Sequence, residues 1–281
     1  MADRSIASIH ATEPQPGSGI LHPFPTAELP HLDPFVFLDT GAPRDIGTGE
    51  IYVGPHSHRG VQPVSLLFRG RIEHRDSLGT ERTVQSGGMQ WLVAGSGALH
   101  EEVLNGDENG IFHMAQLWIN VPAALKRQPP EHHAVAAEHI PEITTLGTGS
   151  RVRLYAGDLA GVSGPAPMPT PVLVAHVSVA DGGGVTLPIP AGWTTALIDV
   201  AGDLAVGERS LREGDTVVYA DDGDSISVSS RGGGEFLLMA GEPIGEPIAM
   251  GGGFVMNTSE EIAEAFEDDR AGRLGTLTAS R

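Results

Sequence analysis

The sequence contains no cysteine. Disulfide bonds and thiol chemistry are therefore excluded, and any metal site has to use imidazole and oxygen ligands. Basic residues are also scarce, because 17 Lys and Arg stand against 36 Asp and Glu, which gives a formal net charge of −19. Nucleic acids and anionic membranes attract proteins through basic surfaces, so we expect neither as a direct partner.

Long hydrophobic runs are missing as well. The chain has no stretch of about 18 consecutive apolar residues, the length that a membrane-spanning helix needs. Residues 1–20 lack the charged segment followed by an apolar segment that marks a secretory signal. The sequence therefore predicts a cytoplasmic protein that does not enter a membrane.

Glycine and proline are frequent, at 38 and 21 of 281 residues, and they follow no period. Such a composition is typical of many short strands joined by turns, and the length suits one large or two ordinary domains. A Pro-, Ala- and Glu-containing connector at residues 123–150 indicates where one domain gives way to the next. We predict an all-β fold with one barrel in residues 1–135 and a second in residues 136–281.

Local patterns predict several individual elements. Residues 64–68 and 71–74 are expected to form a tight hairpin about Arg69-Gly70, and Asp76-Ser77-Leu78-Gly79 a second turn. In the second half, Leu173, Ala175, Val177 and Val179 are expected on one face of a strand, and residues 226–228 and 236–239 as two separate strands. Thr258 and Glu261 form a capping box that predicts a terminal helix over residues 259–270, packed on its own barrel.

Two pairs of polar residues stand out within this pattern. His56 and His58 are two apart, as are His100 and Glu102, so each pair shares one face of a strand. If the two strands lie opposite each other in a barrel, three imidazoles and one carboxylate converge. That set of ligands suits a divalent transition metal and disfavours Ca²⁺ or Mg²⁺.

The remaining histidines carry weaker signals. His74 and His113 are expected as buried structural residues, with support of the metal ligands as the alternative. His10, His22 and His31 lie in a proline-rich arm and receive no role. His176 is the single histidine after the connector, so no metal site is expected in the second half. Glu101 competes with Glu102, but the period of two assigns Glu102 to the face of His100.

Several segments, in order and spacing, resemble the pirin family of bicupin proteins. They are Pro55-His56-Ser57-His58-Arg59-Gly60, residues 74–79, residues 90–102, residues 116–122, residues 241–248 and residues 253–272. The resemblance implies two cupin barrels, which are double-stranded β-helices of the jelly-roll type, and a short C-terminal helix. It also implies one metal site in the first barrel, with His56, His58, His100 and Glu102 as ligands.

The family resemblance further implies an activity. Pirin-like proteins are associated with quercetin 2,3-dioxygenase activity, in which O₂ opens the heterocycle of a flavonol and carbon monoxide is released. Fe(II) is the first candidate for the metal, with Mn, Co, Ni, Cu and Zn as alternatives, and the partners would be a small aromatic substrate and O₂. Glu102 is then expected to act both as a ligand and as a proton acceptor.

One departure and two alternatives accompany this hypothesis. Where the family commonly has Arg-Gly-Phe-Glu-Thr, this chain has Arg59-Gly60-Val61-Gln62-Pro63, so an amide replaces a carboxylate expected near the site. The first alternative is a non-enzymatic metal-binding regulator that docks onto a transcription factor or a metabolic enzyme. The second is another cupin enzyme, such as an isomerase that acts on a small polar metabolite, because a fold does not fix a function.

Overall fold

The computed structural model describes residues 1–277, and strands dominate its secondary structure. The strands are β1 (Ile6–His10), β2 (Leu21–Phe24), β3 (Phe35–Thr40), β4 (Arg44–Asp45), β5 (Glu50–His58), β6 (Val61–Arg69), β7 (Arg71–Asp76), β8 (Glu81–Gln85), β9 (Met89–Val93), β10 (Ala98–Asn105), β11 (Ile111–Asn120), β12 (Glu131–Val135), β13 (Glu142–Ile143), β14 (Gly147–Ala156), β15 (Asp158–Leu159), β16 (Val162–Ser163), β17 (Val172–Pro188), β18 (Thr194–Val206), β19 (Arg209–Ser210), β20 (Thr216–Tyr219), β21 (Ser225–Gly241), β22 (Ala249–Gly251) and β23 (Phe254–Met256). Helix α1 spans Ser259–Arg270, and 3₁₀ turns occur at Ala123–Leu125 and Ala137–His139. The predicted all-β class is confirmed.

The chain divides into two compact units, each built from two segments. The first unit comprises residues 43–137 and 244–281, and the second unit comprises residues 1–42 and 138–243. The change of unit between residues 137 and 138 lies close to the predicted boundary, but each terminal segment belongs with the more distant half of the sequence. The division into folding domains at 135/136 stays a prediction.

The first unit contains two antiparallel sheets, and the four predicted ligands lie on β5 and β10 of one of them. One has the strand order β12-β9-β6-β11, with β4 paired to β11, and the other has the order β5-β10-β7-β8. Strands β6 and β7 therefore belong to different sheets, and the predicted hairpin about Arg69-Gly70 is wrong. Gly70 has a φ of +106°, and an added Cβ would lie 2.5 Å from the carbonyl oxygen of Asn105. This glycine lets the chain turn from one sheet to the other.

Other local predictions for the first unit are confirmed. Strands β7 and β8 form a hairpin through the Asp76–Gly79 turn, in which Asp76 Oδ1 accepts the N–H groups of Leu78 and Thr80. Helix α1 begins with the capping box of Thr258 and Glu261. Its Ala265 packs with Phe254 and Leu274 of the same unit, so the helix covers its own unit as expected.

The second unit is built around one large antiparallel sheet of order β1-β20-β18-β21-β17-β14-β13, with β19 paired to β18. Leu173, Ala175, Val177 and Val179 are at most 2% exposed and contribute to its hydrophobic core, as their alternation predicts. The two strands predicted at residues 226–228 and 236–239 are one strand, β21. It stays continuous because β17 and β18 pair with both of its ends.

Asp199 is an acid inside this apolar core. It is paired with Phe236 across β18 and β21, and Phe236 belongs to the buried cluster. The residue is 0% exposed, and neither carboxyl oxygen has a hydrogen-bond partner. Burial, reinforced by the nearby Asp215 and Glu213, raises the pKa of Asp199 to about 7.

The described part of the chain contains one α-helix, α1, and two short 3₁₀ turns. Over residues 1–277 none combines the length and the apolar character that a membrane span needs.

Candidate metal centre

Three histidines of the first unit converge on one point. His56 and His58 lie on β5, and His100 lies opposite His56 on the antiparallel neighbour β10. Their ring centroids are separated by 4.1 Å between His56 and His100, 5.0 Å between His58 and His100, and 5.1 Å between His56 and His58. One nitrogen from each ring lies within 4.8 Å of the others, so the three imidazoles can share one ion.

A β-bulge in β5 makes this convergence possible. Val53 is paired with Glu102 and His56 with His100, so three steps along β5 correspond to two along β10. The extra residue at Gly54-Pro55 changes which face the following side chains occupy. His56 and His58 are thereby turned to the face of β10 that carries His100 and Glu102.

Hydrogen bonds fix the orientation of the first two rings. The carbonyl oxygens of Gly54 and Gly253 lie 2.8 Å from His56 Nδ1 and 3.0 Å from His58 Nδ1, respectively. A carbonyl can only accept, so in the neutral rings Nδ1 carries the proton and Nε2 presents a lone pair. In His100, Nε2 is buried and has no hydrogen-bond partner. Three Nε2 atoms therefore fit the requirements of a divalent transition metal.

The local electrostatics keep the buried rings neutral. Burial, with a further contribution from His56, lowers the pKa of His58 to about 3. Burial and the neighbouring His58 also hold the pKa of His100 well below 6.5. Neutral imidazole is the form that binds metal, so these histidines need not lose a proton at neutral pH.

Glu102 lies beside this group but outside it. Gln90 Nε2 donates to Glu102 Oε1 at 2.6 Å, and the same oxygen is 4.0 Å from His100 Nδ1 and 3.7 Å from His74 Nδ1. Glu102 therefore groups with His74 and His100, and His100 is the residue that the two groups share. Glu101 engages other partners, since it accepts hydrogen bonds from Arg75 and Tyr52.

Two further histidines extend the cluster. His74 Nε2 lies 3.1 Å from Asp76 Oδ2, and the His74 ring stacks on His132 with centroids 3.9 Å apart. Burial opposes protonation of His74, but the interactions with Asp76 and Glu102 prevail and raise its pKa. Burial, followed by the effect of His74, lowers the pKa of His132 to about 3. His113 is buried elsewhere, against Phe68.

Sequence reasoning assigned no role to His132. The residue lies in the connector, next to His133, without the i, i+2 spacing that marked the other pairs. The pairing of β12 with β9 is what brings it to His74, and this pairing spans about forty residues of sequence.

A small cavity borders Glu102. Its volume is about 10 Å³, the size of one water molecule, and its lining includes the apolar residues Pro63, Trp91 and Leu92 as well as His74, His100 and Glu102. Gln62 does not line it, because alternate residues of β6 face opposite sides and Pro63 and Ser65 occupy the inner one. Of the residues that depart from the family pattern, Pro63 is therefore the one that lines this cavity.

The C-terminal segment anchors the end of β5, which carries His56 and His58. Arg59 Nη2 donates to Asp268 Oδ2 and Ser57 Oγ donates to Asp269 Oδ1, each at 2.6 Å. The carbonyl oxygen that orients His58 comes from Gly253, where an added Cβ would lie 2.0 Å from the backbone oxygen of Ser57. No other residue fits at this contact without displacing the end of β5.

Replacing Asp268 by Ala is expected to destabilise the protein by about 2 kcal/mol, because the Arg59 side chain, 6% exposed, loses its carboxylate partner. Urea unfolding of the apo protein measures the loss. Glu267→Ala serves as the control, since this neighbour in α1 is 73% exposed. Equal destabilisation by the two substitutions would show that the Arg59–Asp268 contact contributes nothing specific.

Comparisons with known proteins match both halves of the chain. The family model described as Pirin matches residues 17–119, and the Pirin C-terminal cupin domain matches residues 174–275. Human pirin is 33% identical over 258 residues, covering 88% of this chain and 85% of the relative. A Pseudomonas aeruginosa protein that is provisionally named a quercetin 2,3-dioxygenase is 34% identical over 248 residues, covering 86% of this chain and 87% of the relative.

A solved structure agrees with these matches. Quercetin 2,3-dioxygenase from Acinetobacter baumannii superposes with a TM-score of 0.91 at 32% identity, covering 99% of this chain and 100% of the other. The resemblance that the motifs indicated and the prediction of two cupin barrels are both confirmed.

Proposed function

Because the chain belongs to the pirin family, we propose that it is a metal-dependent dioxygenase that opens the heterocycle of quercetin-type flavonols with O₂. The observation that supports this most strongly is the convergence of His56, His58 and His100, each with an Nε2 atom available to one ion. The names of two similar proteins, of which one is named a quercetin 2,3-dioxygenase and the other is provisionally named so, suggest the substrate class.

The proposed ligands are the three histidines, with Glu102 as the fourth. A divalent transition metal bound there, with Fe(II) as the first candidate, would supply Lewis acidity toward the flavonol hydroxyl and a meeting point for flavonol and O₂. Three neutral imidazoles and one carboxylate leave such an ion with net positive charge. The buried rings exclude water from most of the surroundings of the ion, which strengthens its electrostatic interaction with bound groups.

Glu102 is also the proposed acceptor of the proton that leaves the flavonol hydroxyl. Its Oε1 atom is fixed by Gln90 at 2.6 Å, and the residue is 7% exposed, so the carboxylate has a defined direction and little competing water. Neutralising it removes the proton acceptor without removing bulk. General base catalysis of this kind contributes about 10²- to 10⁴-fold in rate.

Burial indicates the side from which substrate approaches. The cavity that borders Glu102 has a volume of about 10 Å³, far smaller than the several hundred Å³ of a typical small-molecule site. His58 and His100 are 2% and 3% exposed, whereas His56 is half-buried and follows the exposed Pro55. A flavonol is therefore expected to reach the centre from the side of His56.

Aerobic quercetin consumption tests the proposal. Apo protein is reconstituted separately with Fe, Mn, Co, Ni, Cu and Zn, and bound metal, loss of the flavonol absorbance and release of carbon monoxide are measured. At least one ion should support turnover in the unmodified protein and none in His56→Ala. At saturating metal, Glu102→Gln should lower kcat about 10²- to 10⁴-fold.

Glu101→Gln is the matched control, because it makes the same change one residue away on a side chain engaged with Arg75 and Tyr52. Its turnover should remain within a few-fold of the unmodified protein. Stoichiometric binding of metal without turnover for any ion would overturn the dioxygenase proposal. That result would favour a metal-binding protein that acts through a protein partner.

A further inference from the structure

Each histidine of the proposed triad has a partner at its second ring nitrogen, but the partners differ. His56 and His58 face backbone carbonyl oxygens through Nδ1. His100 Nδ1 instead lies 3.4 Å from His74 Nδ1, and His74 Nε2 lies 3.1 Å from Asp76 Oδ2. His100 is therefore the ring whose orientation depends on two further side chains.

We propose that Asp76 and His74 act together as positioning residues that fix the tautomer and the ring orientation of His100. This inference rests on the proposed metal centre and extends it from the ligands to the groups behind them. In such centres the second nitrogen of a ligand histidine donates to a carboxylate, a carbonyl or water, and the partner sets the tautomer. For His100 the partner is the imidazole of His74, which is in turn hydrogen-bonded to the carboxylate of Asp76.

The carboxylate of Asp76 influences which ring nitrogen of His74, and through it of His100, carries the proton. When His100 binds an ion through Nε2, its one proton is on Nδ1 and points at His74 Nδ1, which has to accept it. The proton of neutral His74 is then on Nε2 and is donated to Asp76 Oδ2. An acceptor at Asp76 Oδ2 favours the tautomer of His74 that His100 needs, and it acts against Glu102 Oε1, which lies 3.7 Å from His74 Nδ1 and favours a proton on that nitrogen.

The surroundings leave Asp76 and His74 few other arrangements. Asp76 Oδ1 accepts the N–H groups of Leu78 and Thr80, each at 2.9 Å, which directs Oδ2 toward His74. Asp76, His74 and His100 are 5%, 2% and 3% exposed, so water does not compete for their hydrogen bonds. The stacked ring of His132, inclined by 18°, restricts rotation of His74 out of its plane.

Asp76→Asn tests the inference with minimal change in shape. The amide oxygen can still accept at the turn, but its NH₂ group then faces His74 Nε2 and favours a proton on His74 Nδ1, directly against the Nδ1–H of His100. Co(II) affinity, measured by competition with a chelator, should fall about 10- to 100-fold. The visible spectrum of the Co(II) protein should also change, because it reports the ligand geometry.

Asp107→Asn is the matched control. Asp107 Oδ1 accepts the N–H groups of Asn109 and Ile111 in an equivalent turn, and its Oδ2 binds Arg69 rather than a histidine. This variant should bind Co(II) with unchanged affinity and spectrum. A loss of affinity in both variants would show that any weakened turn suffices, which would overturn the inference.

His74→Phe provides a second, independent measurement, since it keeps a ring against His132 and removes both nitrogens. It should weaken Co(II) binding to a similar extent, and adding Asp76→Asn to it should cost little more, because the two residues act in series. Unchanged Co(II) affinity in Asp76→Asn and His74→Phe would overturn the inference and leave the metal centre standing. Failure of the unmodified protein to bind Co(II) would overturn both.

Discussion

His100→Ala is expected to reduce the affinity for a divalent transition metal by at least about 1,000-fold and to abolish flavonol turnover. His56 and His58, on the partner strand β5, each belong to one group of candidate ligands. His100 belongs both to the histidine triad and to the group with His74 and Glu102. Its removal leaves two imidazoles and separates them from the carboxylate. Metal-dependent stabilisation should disappear with it.

Thermal unfolding with and without Ni(II) measures this effect directly. An ion present at 100 times its Kd stabilises the folded state by about 2.7 kcal/mol, and the corresponding rise in Tm should be seen in the unmodified protein and not in His100→Ala. His133→Ala is the control, because His133 is 40% exposed on its side chain and stacks on Trp91 away from the triad. A full Ni(II)-induced rise in His100→Ala would contradict the assignment of this ligand.

Ionisation of the buried Asp199 is expected to have a second large effect, a loss of folding stability. An acid whose pKa is raised from 3.8 to about 7 on folding binds more protons in the folded than in the unfolded state between these values. The free energy of unfolding therefore falls as the pH rises from about 4 to about 7, and the full penalty is present above pH 7. For Asp199 the penalty amounts to about 4 kcal/mol.

Asp199→Asn should remove most of this penalty. Urea unfolding of the apo protein at pH 8 should show a gain of about 3 kcal/mol, shrinking to nearly zero at pH 4, where the carboxyl is already protonated in both states. Asp203→Asn is a matched control on the same strand, because Asp203 is exposed. A gain that does not depend on pH would show that ionisation of Asp199 is not its cause.

The convergence of His56, His58 and His100 could be predicted from the sequence because the signals are local. His56 with His58, and His100 with Glu102, are pairs whose spacing alone places them on one face of a strand, and the capping box of α1 is equally local. The bulge at Gly54-Pro55 could not be read from the pattern. A bulge depends on which residues of β10 lie opposite, and that register is set by the whole sheet.

Long-range pairing explains what the sequence did not reveal. His132 joins the cluster only through the pairing of β12 with β9, and Gln62 lies away from the inner cavity because β6 presents Pro63 and Ser65 to it. The hairpin predicted at Arg69-Gly70 failed for a similar reason. Its two strands are each more extensively paired with other strands, and local turn chemistry does not decide between such partners.

The carbonyl oxygen of Gly253 that orients His58 lies 195 residues further along the chain. During synthesis, both histidines of β5 and the histidine of β10 leave the ribosome long before this carbonyl does. A nascent chain can thus contain all three imidazoles and still lack the group that directs one of them. The orientation of His58 is consequently completed only after the C-terminal segment has been synthesised and has packed beside β5.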